Sequence, residues 1–258
     1  MMMRLLFIIS LSIFQFSGYS QQNDILTNTF FDNGESLNYT LRYGFITGGQ
    51  ATLEVRDSSL EGNNFFYIKG FARTTGIADK LFHVRDLYES FIDKETGKPF
   101  FAIQNIKEGR TYKYYNEVRY YRQNNLVVST KSGEHKVKDN ILDVLSAFYF
   151  VRRIDYSKMK EGDIVKLLTF FSDEEFPLEL RYRGKEIVDT KWGKIRCMKF
   201  APIVEPGRVF KSKDDMLIWY TDDANRIPLK IIFELKVGHI TVELRGFSKL
   251  KFNPAFTK

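Results

Sequence analysis

Three histidines, one cysteine and one short acidic run carry most of the reactive chemistry in this sequence. His83, His135 and His239 stand far apart. None forms an H-x-x-x-H pair or sits at metal-ligand spacing from a cysteine, so no metal site is expected. Cys197 is the only cysteine, which excludes an internal disulfide. Its neighbours Ile195, Met198 and Phe200 suggest a strand, where a lone Cys is a small buried hydrophobe, and no activating histidine is close in sequence. There is no phosphate-cradling G-x-x-x-x-G-K, no G-x-G-x-x-G after a strand and no G-x-S-x-G elbow. His83-Val84-Arg85-Asp86 reads as a helix-to-strand junction. No catalytic residue and no cofactor are therefore expected.

The densest polar constellation is Trp219-Tyr220-Thr221-Asp222-Asp223-Ala224-Asn225-Arg226-Ile227-Pro228. One chemical reading is a cation site or a carboxylate pair for acid–base work. Adjacent carboxylates on an extended chain point to opposite faces, which argues against a shared proton. The other reading is a turn, closed by Asp and Asn on their own backbone, with Arg226 pairing Asp222 or Asp223. The candidate ligand-binding residues are Trp219, Asp222, Asp223, Arg226 and, from a helix elsewhere in the chain, Arg152.

That helix is expected from about Ile141 to Arg153, capped by Asp139 or Asn140. Ile141, Leu145 and Phe148 form its apolar stripe, with Asp143, Ser146 and Arg153 opposite. Arg152 projects into the apolar arc. Either it snorkels past the helix end, or it points inward to a carboxylate or ligand, Asp222 or Asp223 being favoured. A shorter helical turn is expected through Ile77 to His83.

Elsewhere the dominant period is two. Leu37, Tyr39, Leu41, Tyr43 and Phe45 alternate with polar residues, as do Ala51, Leu53 and Val55. Thr47-Gly48-Gly49-Gln50 between them reads as a hairpin turn. Similar segments run to Leu244, about a dozen strands in all. They predict a mainly β fold: a large curved antiparallel sheet, as half-barrel, barrel or sandwich, around one central packed α-helix. No linker or repeat divides the chain, so residues 21–258 are expected to form a single β-rich domain.

Residues 1–20 have the order of a signal peptide: Arg4, a mostly apolar run from Leu5 to Phe16, then Gly18-Tyr19-Ser20 before a cut at Gln21. The run is too short to span a bilayer, and no later segment is long enough. A periplasmic or secreted protein follows as the expectation. Forty-three per cent hydrophobic residues and only 6 prolines exclude a disordered chain. The net charge of +7 is scattered along the chain, which is not a nucleic-acid pattern; peripheral contact with anionic membrane is compatible with it.

Several short segments, in their order, resemble a secreted Gram-negative envelope family known only as domain of unknown function 3108. They are Tyr43-Gly44 with Gly48-Gly49-Gln50-Ala51; Val84 to Ser90 with Thr96-Gly97-Lys98-Pro99; Asp143 to Tyr149 with Arg152; Trp192-Gly193-Lys194; and Trp219 to Pro228 with Gly238-His239-Ile240. The resemblance implies an envelope protein and supplies no catalytic residues. A curved antiparallel sheet holding a helix is also similar to the periplasmic lipoprotein carriers of LolA-like architecture, an analogy of fold alone. The expected function is non-enzymatic binding of an apolar or amphipathic ligand, a lipid or an acylated protein. The alternatives are a structural or adaptor protein acting through an envelope protein partner, and a carbohydrate-active or hydrolytic enzyme.

Overall fold

A computed structural model of the protein describes residues 30–203, 212 and 214–256; the leader-like segment 1–20 lies outside them. Among the described residues the alternating segments form fifteen strands of one sheet. The first half contains β1 (Ser36–Tyr43), β2 (Ile46–Leu60), β3 (Asn63–Thr74), β4 (Val84–Asp93), β5 (Pro99–Glu108), β6 (Tyr112–Tyr121), β7 (Leu126–Ser129) and β8 (Gly133–Lys136). The second contains β9 (Ile141–Leu142), β10 (Ile164–Phe171), β11 (Glu174–Thr190), β12 (Gly193–Pro202), β13 (Met216–Thr221), β14 (Pro228–Glu234) and β15 (His239–Ser248). A short helix α1 (Gly76–Leu81) joins β3 to β4. A second, α2 (Val144–Phe150), continues as a 3-10 turn through Val151–Arg153. No helix of the described residues is long and apolar enough to cross a membrane.

The strands form an antiparallel meander in which β1 also pairs with β15, and β9 alone pairs in parallel, with β10. The hydrogen-bond ladder is open at β8 and β9, but side chains bring the two edges together. Ser129 Oγ of β7 donates to Asp173 in the β10–β11 turn (2.5 Å), and the Lys138 amide to Glu175 (2.9 Å). Ala102, Val118, Tyr120, Val127, Ile141 and Phe170 share one apolar cluster across the gap. The sheet is thus curled until its edges touch, and it covers its exposed ladder with packing instead of backbone pairing.

Helix α2 lies inside the curl. Leu145 and Tyr149 pack on Val55, Phe66, Ile68 and Ile92 of β2, β3 and β4. Ala147, Val151 and Ile154 pack on the far wall, against Val165, Leu180, Phe200, Ile218 and Tyr220. This enclosure corrects the expected helix. Ile141 and Leu142 pair with Leu168 and Thr169 as an edge strand, and the cap is Asp143, not Asp139 or Asn140. Asp143 accepts from the amides of Leu145 (2.8 Å) and Ser146 (3.1 Å), and Ser146 Oγ accepts in return from the Asp143 amide (2.8 Å), a capping box. Asp143, Ser146 and Arg153, expected on a solvent face, are all buried. An enclosed helix has no such face, so each polar group needs a local partner. Asp143 also accepts from Ser90 Oγ (2.6 Å), and Arg153 donates to the Glu95 carbonyl.

The β1–β2 hairpin forms, but its turn is Gly44-Phe45; Thr47 to Gln50 belong to β2. Gly44 has φ +57°, which a glycine adopts without cost. Gly49 is needed for a different reason. A Cβ there would sit 2.8 Å from the Arg73 carbonyl oxygen of the neighbouring strand.

Candidate functional site at the α1 end of the curl

The two ends of the curl differ. Strand β1 runs from Glu35, just before its first residue, to Tyr43 beside the β14–β15 turn, and these mark the ends. At the Glu35 end, Arg152 is 1% exposed and Glu35 0%. Arg152 Nη1 and Nη2 donate to the two carboxylate oxygens of Glu35 (2.6 and 2.8 Å). Nη2 also reaches the carbonyls of Phe30 (2.8 Å) and Asn225 (2.8 Å), and Nε the latter at 3.2 Å. The guanidinium lies over the rings of Phe31 and Tyr149. Burial by itself would depress the Arg152 pKa, but the Glu35 charge and hydrogen bonds outweigh it and hold the group above its ordinary value.

Arg152 therefore points inward, but its carboxylate is neither Asp222 nor Asp223. The structure does bring Arg152 to the acidic turn, through the Asn225 carbonyl. Asp222 pairs with Lys185 (2.9 Å) and Arg196 (2.7 Å). Asp223 closes the turn, accepting from Thr221 Oγ1 (2.8 Å) and from the amides of Asn225 and Arg226 (both 3.0 Å). Arg226 pairs with neither acid. It donates to the carbonyls of Arg152 (3.1 Å) and Ile154 (2.5 Å), where the helix has run out of its own amide donors. Its guanidinium covers the Phe30 ring at 4.1 Å. Trp219 lies on the face of β13 opposite Ile218 and Tyr220, hence away from α2; its indole donates to Glu186 (2.5 Å), and Lys199 and Lys230 stand over its ring. Arg152, Asp223 and Arg226 thus fasten this end of the fold, while Trp219 and Asp222 bond side chains of β11 and β12.

The α1 end is different in kind. Ser90 and Ile92 place the even-numbered face of β4 toward α2. That face continues past the helix as Tyr88 and Asp86. Directly across lie Gln104, Ile106 and Glu108 of β5, then Tyr112, Tyr114 and Asn116 of β6. Tyr88, Gln104, Tyr112 and Tyr114 keep part of their surface exposed although they face inward, as does Ala51 of β2. Among the described residues Tyr112 and Tyr114 belong to none of the apolar clusters, and Asp86 and Glu108 are buried beside them. The inner wall at this end is therefore aromatic, hydroxyl-bearing and acidic. In the sequence alone Asp86 reads as a junction residue. The signal that locates this wall is the shared period of β4, β5 and β6, which puts Asp86, Glu108 and Tyr112 on one face once the register is known.

Asp86 accepts a bond from the Lys107 amide (3.2 Å), and among the described residues its Oδ2 has no hydrogen-bond partner. Burial, reinforced by the nearby Glu108 charge, pushes its pKa up to about 7. An unfolded Asp ionises near ~4, so between there and about pH 7 the folded state holds the extra proton, and stability falls as pH rises across that window. Asp86→Asn removes this slope. In thermal melts the variant is expected to gain on the wild type from pH 4 to pH 8, by an equivalent of ~1–2 kcal/mol. A tenfold change in proton affinity is worth ~1.4 kcal/mol, and solvent at the open end screens part of the effect. Parallel profiles would show that Asp86 ionises normally.

Other reactive groups are engaged in structure. Cys197 is buried in the apolar core, and burial pushes its thiol up to about 12. His83 lies on the surface against Asp79 (3.2 Å). Among the described residues no three His, Cys, Asp or Glu side chains group to hold a metal ion.

Comparison with solved structures finds a β-barrel-like protein, domain of unknown function DUF1849, from Brucella abortus, at 10% identity and TM-score 0.55, covering 87% of this chain and all of that one. At such identity the likeness concerns the fold alone. A protein of YmcC-like fold from Bacteroides fragilis, described as exported, follows at TM-score 0.38 (10% identity, 88% of this chain and 100% of that one). A protein from Parabacteroides distasonis, described as a lipoprotein, follows at 0.34 (11% identity, 87% and 100%). No curated protein matches the sequence. A family profile matches residues 38–245, from β1 into β15 and across every strand between. The chain belongs to this family, the proteins of unknown function DUF3108.

Proposed function

We propose that the protein is a non-enzymatic protein of the bacterial cell envelope that holds an apolar or amphipathic molecule, a lipid or an acyl chain, at the α1 end of its curled sheet. The observation that carries this reading is the inner wall beyond α2. Its aromatic residues Tyr88, Tyr112 and Tyr114 face inward, stay partly exposed, and stand beside the buried carboxyl groups of Asp86 and Glu108. Such a wall offers apolar surface with a few converging polar groups, the composition of small-molecule sites. At the opposite end the polar groups of Arg152, Glu35, Asn225 and Arg226 bond one another and hold the structure closed. An envelope location is supported by the leader-like order of residues 1–20.

Native mass spectrometry of the full chain, purified gently from an envelope extract, tests the reading. A reproducible adduct with the mass of a lipid or acylated molecule is the expected result. A ligand-free protein that carries stoichiometric protein partners would favour the adaptor alternative and end this one.

A further inference from the structure

The end that bears the aromatic wall also bears a rim of exposed apolar side chains. Phe45 is 95% exposed, Leu81 81%, Val237 76% and Ile77 72%, with Ile46 and Tyr43 about half exposed. They come from three separate pieces of chain: the β1–β2 turn, helix α1 and the β14–β15 turn. The pieces are joined by contacts. The Tyr43 hydroxyl donates to the Val237 carbonyl (2.9 Å), and the Gly44 amide to the His239 carbonyl (3.1 Å). Close packing of α1 on β2 leaves the Cβ position of Gly48 only 3.4 Å from the Ala78 methyl group. The rim is thus one surface, built at the tips of turns.

Single exposed apolar residues are ordinary; a joined group of this size marks an interaction surface. Its charge indicates the partner. Lys80 lies in α1 between Ile77 and Leu81, Lys236 precedes Val237, and both are exposed, as is Arg73 at the end of β3. The acid within α1, Asp79, is already held by Arg85 (2.8 Å) and Thr74 (2.6 Å). Lys80 therefore flanks the apolar tips with no other acid in α1 to offset it, and Lys236 flanks them from the β14–β15 turn, two residues after Glu234. Side chains that rise separately from turn tips suit insertion between lipid molecules better than the flat, closely packed core of a protein interface. Cations set beside them match anionic headgroups.

We propose that this rim docks the protein on an anionic phospholipid bilayer, with Phe45, Ile77, Leu81 and Val237 entering the acyl boundary and Lys80 and Lys236 meeting the phosphates. The docking stands on the rim alone; only its purpose, bringing the inner wall to the bilayer surface, rests on the function proposed above.

The test is co-sedimentation of the full chain with vesicles of equimolar phosphatidylethanolamine and phosphatidylglycerol, beside vesicles of phosphatidylcholine alone. The wild type is expected to bind the anionic vesicles, and more weakly as salt is raised. Phe45→Ser with Leu81→Ser should weaken binding at least ~10-fold, since each removes an apolar side chain worth more than tenfold in transfer. Lys80→Glu with Lys236→Glu should remove the preference for anionic vesicles. All these side chains are exposed, so the melting temperatures should stay unchanged and confirm folding. Absence of vesicle binding by the wild type, or equal binding by the Ser variant, would overturn the proposal. So would a lipid-free dimer that the Ser variant abolishes, because the rim would then be covered by a second copy. Binding of a fluorescent acyl probe in the same samples separates the two ideas. Vesicle binding lost with probe binding kept is the result expected of the Ser variant. A wild type that binds probe but no vesicles contradicts the docking alone, and one that binds vesicles but no probe contradicts the proposed ligand site alone.

Discussion

Glu35→Ala is expected to destabilise the protein by ~3–5 kcal/mol, the cost of leaving a buried guanidinium without its counter-charge. Arg152 is held by a bidentate pair and by the carbonyls of Phe30 and Asn225, and it joins the chain before β1, the end of α2 and the β13–β14 turn. Arg152→Ala should cost a similar amount. The double replacement Glu35→Leu with Arg152→Met should cost less than either single change, because no charge then remains uncompensated. Urea midpoints for the four proteins measure this directly. The effect should be nearly independent of salt, since both groups are screened from solvent by burial. Additive effects with small single costs would show that Arg152 reaches water and is not a tie between segments.

Leu145→Ala is the second large effect, expected at ~2–5 kcal/mol. Leu145 sits inside the curl against Gly70, whose Cβ position lies 3.1 Å from a Leu145 methyl carbon, and against Leu53. Truncation leaves a cavity that the stiff sheet cannot collapse to fill. Phe148 keeps part of its surface exposed, so Phe148→Ala should cost less than Leu145→Ala. An unmoved midpoint for Leu145→Ala would make α2 peripheral to the core. A larger loss for Phe148→Ala would place the packed face of α2 on the wrong side.

The strands are legible in the sequence because alternation over Leu37–Tyr43, Ala51–Val55 and Ile240–Leu244 is a local property of half-buried sheet. The helix is legible at its centre but not at its start. Ile141 and Leu142 are apolar in either state, and only pairing with β10 makes them a strand. The place of Arg152 on the apolar arc is visible in the helix period, which leaves snorkelling and an inward aim both open. Its partner is not visible, because Glu35 lies 117 positions away and nothing local marks it. Phe45 continues the alternation of β1 and so reads as strand, while the glycine that makes the turn directly precedes it. The inner wall stays hidden for a related reason. Asp86, Glu108 and Tyr112 share a face only through the register of three strands, a long-range property that spacing within any one strand cannot reveal.

The most direct measurement of the central claim is titration of the purified chain with a fluorescent acyl probe, wild type against Ala51→Trp. Ala51 faces inward on β2, in line with Leu53 and Val55, and it is partly exposed toward the α1 end. A tryptophan there adds bulk to the inner face two strands from Asp86, in register with it through Ala72, and away from the Arg152–Glu35 pair. The account predicts saturable binding by the wild type and at least ~10-fold weaker binding by the variant, a loss of ~1.4 kcal/mol or more, with urea midpoints alike. Probe binding of equal strength in both proteins, or none in either, would contradict it.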